Sequence, residues 1–301
     1  MQPKQRDLEK ASLGGLEAYL QQTLRETTVK IYLFEITKFI DQNPENKTYS
    51  YQKIMQYIEL LRYEKQPQTV ARIVSSLKKY YQYLIEIKVR KDNPARAIIL
   101  RDAKSNPIQL QDLFTPKELQ KLLEPRQERY PFLAKRNQVI MSLLVHQALK
   151  SSELIQLKTS DIDLEKAQIH ITATSQTNSR TLPLEASQIL LLYEYINSYR
   201  TKLVTHRTQD NYLLLSKLGT PTTSDDIHYL LTTYPKAEFL NKTITTVTIR
   251  QSVITNLLAQ NNDLRKVQYF AGHKSLDTTE KYKETGLNAL QTAIDKLHPI
   301  K

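Results

Sequence analysis

The chain has 301 residues, with a hydrophobic share of 40% and a charged share of 25%, the balance of a globular protein with room for one large or two medium domains. Lysine plus arginine outnumber aspartate plus glutamate by 43 to 31, and a net charge of +12 points to a polyanionic partner, with nucleic acid ahead of a membrane surface. Cysteine is absent and the six histidines are scattered, which excludes disulfides and thiolate metal sites and leaves no short-spaced ligand pair for a structural metal.

The opening segment MQPKQRDLEK is polar and lacks the apolar run of a signal peptide, and no stretch has the length of a membrane span. A soluble cytoplasmic protein is therefore expected. From Thr27 to Ile40 the spacing predicts a helix with Ile31, Phe34, Phe39 and Ile40 on its apolar face and Thr27 or Thr28 as cap. From Pro67 to Ile87 a second helix repeats Val70, Ile73, Val74, Leu77, Tyr81 and Leu84 at three- and four-residue steps, with proline at its first turn. Arg72, Lys78 and Lys79 line its other side, and Arg90 and Lys91 follow in KVRKDNPAR. Together these cations suit a surface that grips DNA phosphates.

The polar, aperiodic stretch from Arg101 to Gln111 reads as a linker, which divides the chain into a domain over residues 1–105 and another over 106–301. Beyond it, TPKELQKLLE starts a helix with Thr115 as cap and Glu118 as its box partner. The segment Arg136–Leu149 is apolar enough to be a buried helix. The pattern then switches to alternation, with Ile169 and Ile171 on one face and a polar turn before Thr181–Leu184, predicting a small hairpin inside a helical domain. Helices resume at Ala186.

Four patterns in the second half stand in a fixed order: HQALKSSELIQLKTSDID, the hairpin, TVTIRQSVITNLL and AGHKSLDTTEKY. Order and spacing resemble the tyrosine recombinase family (phage integrase, Xer-type), and the likeness runs from the first helices to the ending LHPIK. The resemblance implies a mainly α protein. An N-terminal helical, SAM-like core-binding domain precedes a mostly helical catalytic domain with one small antiparallel β-sheet. It implies a site-specific DNA recombinase that cleaves and rejoins strands through a 3′-phosphotyrosine intermediate, with double-stranded DNA as partner, self-association on DNA as dimer or tetramer, and no cofactor or metal.

Such chemistry explains the residue types. Free tyrosine titrates near pH ~10, so the site must remove the phenol proton, neutralise the phosphoryl oxygens and protonate the leaving oxygen. On the resemblance, Tyr282 is the nucleophile, with Thr278 and Thr279 approaching it. His273 bonds the phosphate, Arg250 is the arginine of the third motif, and Glu153 and Leu154 are the acidic and apolar residues after the first. Three positions depart from the family pattern. Lys150 stands for the first arginine, Ser175 or a neighbour stands where the turn should carry a lysine acid, and Val247 stands for a histidine. Arg180 is the only cation in that turn, and with Lys150, Lys158 and Lys166 it is a candidate for compensation or for DNA contact. The alternative reading of these departures is a catalytically impaired DNA-binding protein on the same fold.

Overall fold

The computed structural model describes residues 14–102, 110–206, 208, 211–239 and 242–283. It divides into two compact units, Met1–Asn106 and Pro107–Lys301, with the boundary inside the stretch expected to be a linker. The ending LHPIK lies outside the described residues.

In the first unit, helices α1 (14–21), α2 (Glu26–Gln42), α3 (Tyr51–Glu64) and α4 (Pro67–Glu86) surround one apolar core. Helix α4 carries the expected stripe, and Val70, Ile73, Val74, Leu77, Tyr81 and Leu84 are all buried. Tyrosine here is a packing residue with a polar handle. Tyr80 and Tyr81 pack within 6.4 Å of Phe39 while their hydroxyls donate to Asn46, at 2.5 Å to its side-chain oxygen and 2.8 Å to its carbonyl.

Helix α2 differs from expectation. Its buried face is Val29, Ile36 and Phe39, whereas Ile31 is 42% and Phe34 68% exposed. At ~100° per residue, Ile31 and Phe34 fall on the far side from Val29, and the α4 contact selects the Val29 face. Its N-cap position is Arg25, without a side-chain cap, rather than Thr27 or Thr28.

The second unit is built on α6 (Ala134–His146), buried nearly all round as its apolar sequence requires. Helix α5 (Pro116–Lys121) starts at the expected Thr115–Glu118 capping box. After the four-residue α7 (Ser151–Leu154), a three-stranded antiparallel sheet runs in the order β1 (Ile162–Asp163), β2 (Gln168–Ile171), β3 (Arg180–Pro183). Ile169 pairs with Leu182 and Ile171 with Arg180, and this set points into the core. The two-residue β1 was not expected; it is too short to show alternation, and pairing with Ile169 and Gln168 defines it. Helix α8 (Ala186–Glu194) continues through a π-helical turn into α9 (Arg200–Leu203), followed by α10 (Ser224–Thr232), α11 (Thr246–Ala259), α12 (Leu264–Ala271) and α13 (276–283). Among the described residues no helix is long and apolar enough to cross a membrane.

Candidate active site

Tyr282, His273, Arg250 and Lys150 come from three separate stretches of sequence and meet at one place in the second unit. Arg250 lies on α11, whose start is fixed by a Thr245–Thr248 capping box. Its side chain is 5% exposed, and Nη1 and Nη2 donate to the carbonyls of Ala148 (2.6 Å) and Ala271 (2.5 Å). Ala148 holds φ at +50°, a left-handed conformation that L-residues adopt at a cost of about 1–2 kcal/mol. The two carbonyls tie the guanidinium to both the α6–α7 corner and the end of α12.

Glu153 is the hub. Its carboxylate is fully buried and accepts from Arg180 Nη1 at 2.7 Å, Arg180 Nη2 at 3.1 Å and the Lys150 backbone N–H at 2.9 Å, with Arg250 Nη1 at 3.9 Å. Burial pushes its pKa up, but the hydrogen bonds and charge of Arg180 and the Lys150 N–H outweigh burial and hold it below the usual carboxylate range. Arg180 is the expected turn cation, yet its side chain is entirely buried rather than facing solvent. Beyond Glu153, its Nε donates to the Phe270 carbonyl at 2.8 Å. The physical reason is Glu153 itself, since a buried carboxylate demands a paired donor and the guanidinium fork matches it in bidentate fashion. Gly272 makes room for this pair. At φ +67° it ends α12, and a Cβ there would meet Arg180 Nη1 at 2.5 Å.

His273 follows directly and is 4% exposed. Its Nδ1 lies 2.9 Å from the hydroxyl of Thr279, which is itself fully buried. Burial first, then the charges of Arg250, Lys150 and Arg180, push the His273 pKa down to about 4, so the ring is neutral at physiological pH. The Tyr282 ring stacks on it, with centroids 5.7 Å apart and planes 14° from parallel. Burial raises the Tyr282 pKa while Arg250 opposes the rise. The positive charge of Arg250 is thus the one influence here that favours the phenolate.

Lys150 sits half-buried at the start of α7, and its Nζ donates to Gln176 Oε1 at 3.3 Å. Burial and the nearby Arg250 lower its pKa. Ser175 is exposed in the β2–β3 turn, and Val247, in the first turn of α11, is 60% exposed. Lys166 pairs with Asp163 at 3.2 Å. Sequence reasoning missed Gln176 and Thr177, and it read Thr279 only as part of the approach to Tyr282. Thr177 is fully buried and bridges to His273 as an isolated antiparallel pair.

The first-unit cations divide by burial. Lys91 is exposed, while Lys78 and Lys79 are half-buried on α4, with Lys79 Nζ bonded to Thr23 at 3.3 Å. Arg72 is about half exposed and pairs with Glu35 at 2.8 Å. Arg90 was expected at the DNA surface, but its guanidinium turns inward. It donates to the Lys47 and Tyr49 carbonyls at 2.6 and 3.0 Å and to Asp92 at 2.8 Å. Those carbonyls, left over by the loop before α3, hold it as a strut.

Residues 112–286 match the phage integrase family. The tyrosine recombinase XerD of Oceanobacillus iheyensis is 26% identical over 287 residues, covering 93% of this chain and 95% of that protein. XerD of Staphylococcus haemolyticus is 29% identical over 235 residues, covering 77% and 76%. Among solved structures, a lambda integrase dimer bound to a core site shares the fold with a TM-score of 0.69 at 17% identity, over 94% of this chain and 81% of that one.

Proposed function

Because this chain belongs to the phage integrase family, we propose that it is a site-specific recombinase that breaks and rejoins duplex DNA through a phosphotyrosyl bond at Tyr282. The observation that carries the assignment of the nucleophile is the Tyr282–His273 stack beside buried Arg250, three motif residues brought into one cluster. The Tyr282 oxygen attacks the phosphorus, and the bond energy is retained in the phosphotyrosyl link until a strand hydroxyl reverses the step. Arg250 neutralises the phosphoryl oxygens, and Lys150 lies in the same cluster. In the tautomer where the Thr279 hydroxyl donates to Nδ1, neutral His273 carries its proton on Nε2 and donates it to the phosphate. Family membership and this convergence favour the enzyme over an impaired DNA-binding protein.

Lys91, with Arg72, Lys78 and Lys79, supplies phosphate contacts from the first unit. The working form is a dimer or tetramer on DNA, in the cytoplasm, and the chemistry needs no cofactor.

A nicked suicide duplex tests the reading. Wild-type protein should accumulate covalent DNA. Tyr282→Phe should lose it entirely while duplex affinity stays within about twofold, because only the attacking oxygen is removed. Duplex binding by the wild type with no covalent product sinks the proposal. The surface assignment has its own check in salt titrations. Log affinity should fall linearly with log salt, and Lys91→Ala should reduce that slope by about 1.

A further inference from the structure

A strand-cleaving site must give a proton to the 5′-oxygen as it departs, because an alkoxide is too basic to leave unaided at neutral pH. Three cations act on the His273–Tyr282 pair: Lys150, Arg180 and Arg250. A guanidinium is suited to binding phosphate rather than to giving up a proton. Arg180 is also closed in by Glu153 and the Phe270 carbonyl, and Arg250 is tied to the Ala148 and Ala271 carbonyls. His273 is already neutral. By elimination, the proton donor in this cluster is a lysine.

Geometry points the same way. The Lys150 ammonium reaches across from α7 to Gln176 in the β2–β3 turn. That turn is fixed in place. The Thr174 hydroxyl accepts from the Gln176 and Thr177 N–H groups at 3.2 and 3.1 Å, and the Asn178 N–H donates to the Gly272 carbonyl at 2.9 Å. The ammonium is thus held against the segment that bridges to His273.

On the strand-cleaving reading above, we propose that Lys150 is the general acid of this site, performing from the start of α7 the task that the family resemblance assigns to a lysine in the turn, where this chain has Ser175. The two departures are then one compensated change. An arginine at position 150 could hold the phosphate but could not release a proton.

The surroundings agree. Burial, Arg250 on α11 and Arg180 on β3 push the Lys150 pKa below the lysine range, and only Glu153 on its own helix opposes them. In the step, the Tyr282 phenol passes its proton to water and its oxygen bonds to phosphorus. The bond from phosphorus to the 5′-oxygen breaks with its electron pair going to oxygen, which takes a proton from Lys150 Nζ and leaves a neutral amine. In rejoining, that amine removes the proton from the incoming 5′-hydroxyl.

The test compares two suicide duplexes, one with the natural 5′-oxygen at the scissile phosphate and one with a bridging 5′-sulfur, which departs as a thiolate without needing a proton. Lys150→Ala and Lys150→Arg should each slow covalent-complex formation by about 10²–10³-fold on the oxygen duplex and come within about tenfold of wild type on the sulfur duplex. Unchanged duplex binding shows that the variants are folded. An equal defect on both duplexes, or a Lys150→Arg protein as fast as wild type on oxygen, overturns the proposal and leaves Lys150 a phosphate ligand. Wild-type protein that traps neither duplex removes the strand-cleaving reading itself, and the acid with it.

Discussion

Around Tyr282 the protein has a buried frame and a solvent-facing rim, and they differ in how closely they follow the family pattern. The frame is Glu153, Arg180, Arg250 and His273, each at most 5% exposed. The rim is Lys150, Ser175 and Val247, half-buried or exposed. Frame residues match the family pattern wherever it names one, while all three departures lie on the rim. Burial explains the split. An unpaired charge inside a protein is costly, so each frame group is held by its partners, whereas a rim residue can change with little penalty in stability. A catalytic part at the rim is therefore free to move between elements, which is what the proposal for Lys150 requires.

The comparison breaks most sharply at Glu153. Glu153→Ala leaves Arg180 buried without its carboxylate and should destabilise the second unit by about 3–5 kcal/mol, read as a drop in denaturant midpoint. A loss below about 1 kcal/mol means that the pair does not hold the frame. His273 comes next. Its folded pKa of about 4 lies below the ordinary value of 6.5, so the unfolded state binds the extra proton first as pH falls. Its contribution is fully present above pH ~6.5 and is lost as pH falls through ~4, to a total of about 3 kcal/mol. His273→Asn should flatten the stability–pH curve relative to wild type in that window. Parallel curves for the two proteins sink this account.

The smallest effect belongs to the rim. Val247→His should leave stability within about 0.5 kcal/mol, because the site is 60% exposed. It should raise the rate of covalent DNA capture by about tenfold or more by restoring the histidine that the family pattern has at this position as a proton acceptor. A slower variant would show that the rim has already been rebuilt around another acceptor.

Much of the frame was legible before any coordinates. Tyr282, His273 and Arg250 were picked out by the family resemblance, which rests on motif order and spacing, and a helix start, a Gly-His corner and a following helix are local features. The α4 stripe and the Thr115–Glu118 box were legible for the same reason. What could not be read was the direction of a charge. Arg90 was read as a phosphate ligand because it continues a basic run and Arg180 because it is the only cation of its turn, yet carbonyls at Lys47, Tyr49 and Phe270 and the Glu153 carboxylate turn both inward. The partners of Arg90 at Lys47 and Tyr49 lie 43 and 41 residues away in sequence, and the Phe270 carbonyl lies 90 from Arg180.

By itself, then, the sequence determined the helical class, the strand interval and the order of the motifs, because periodicity and spacing act over a few residues; the candidate site groups came from the family resemblance that those motifs carry. Only the tertiary structure decided which face of α2 is inside, that a third strand joins the hairpin, which cations are held internally and that Lys150 meets the β2–β3 turn. Each of those depends on the free energy of burying or pairing a group against elements distant in the chain, and no local pattern contains that term.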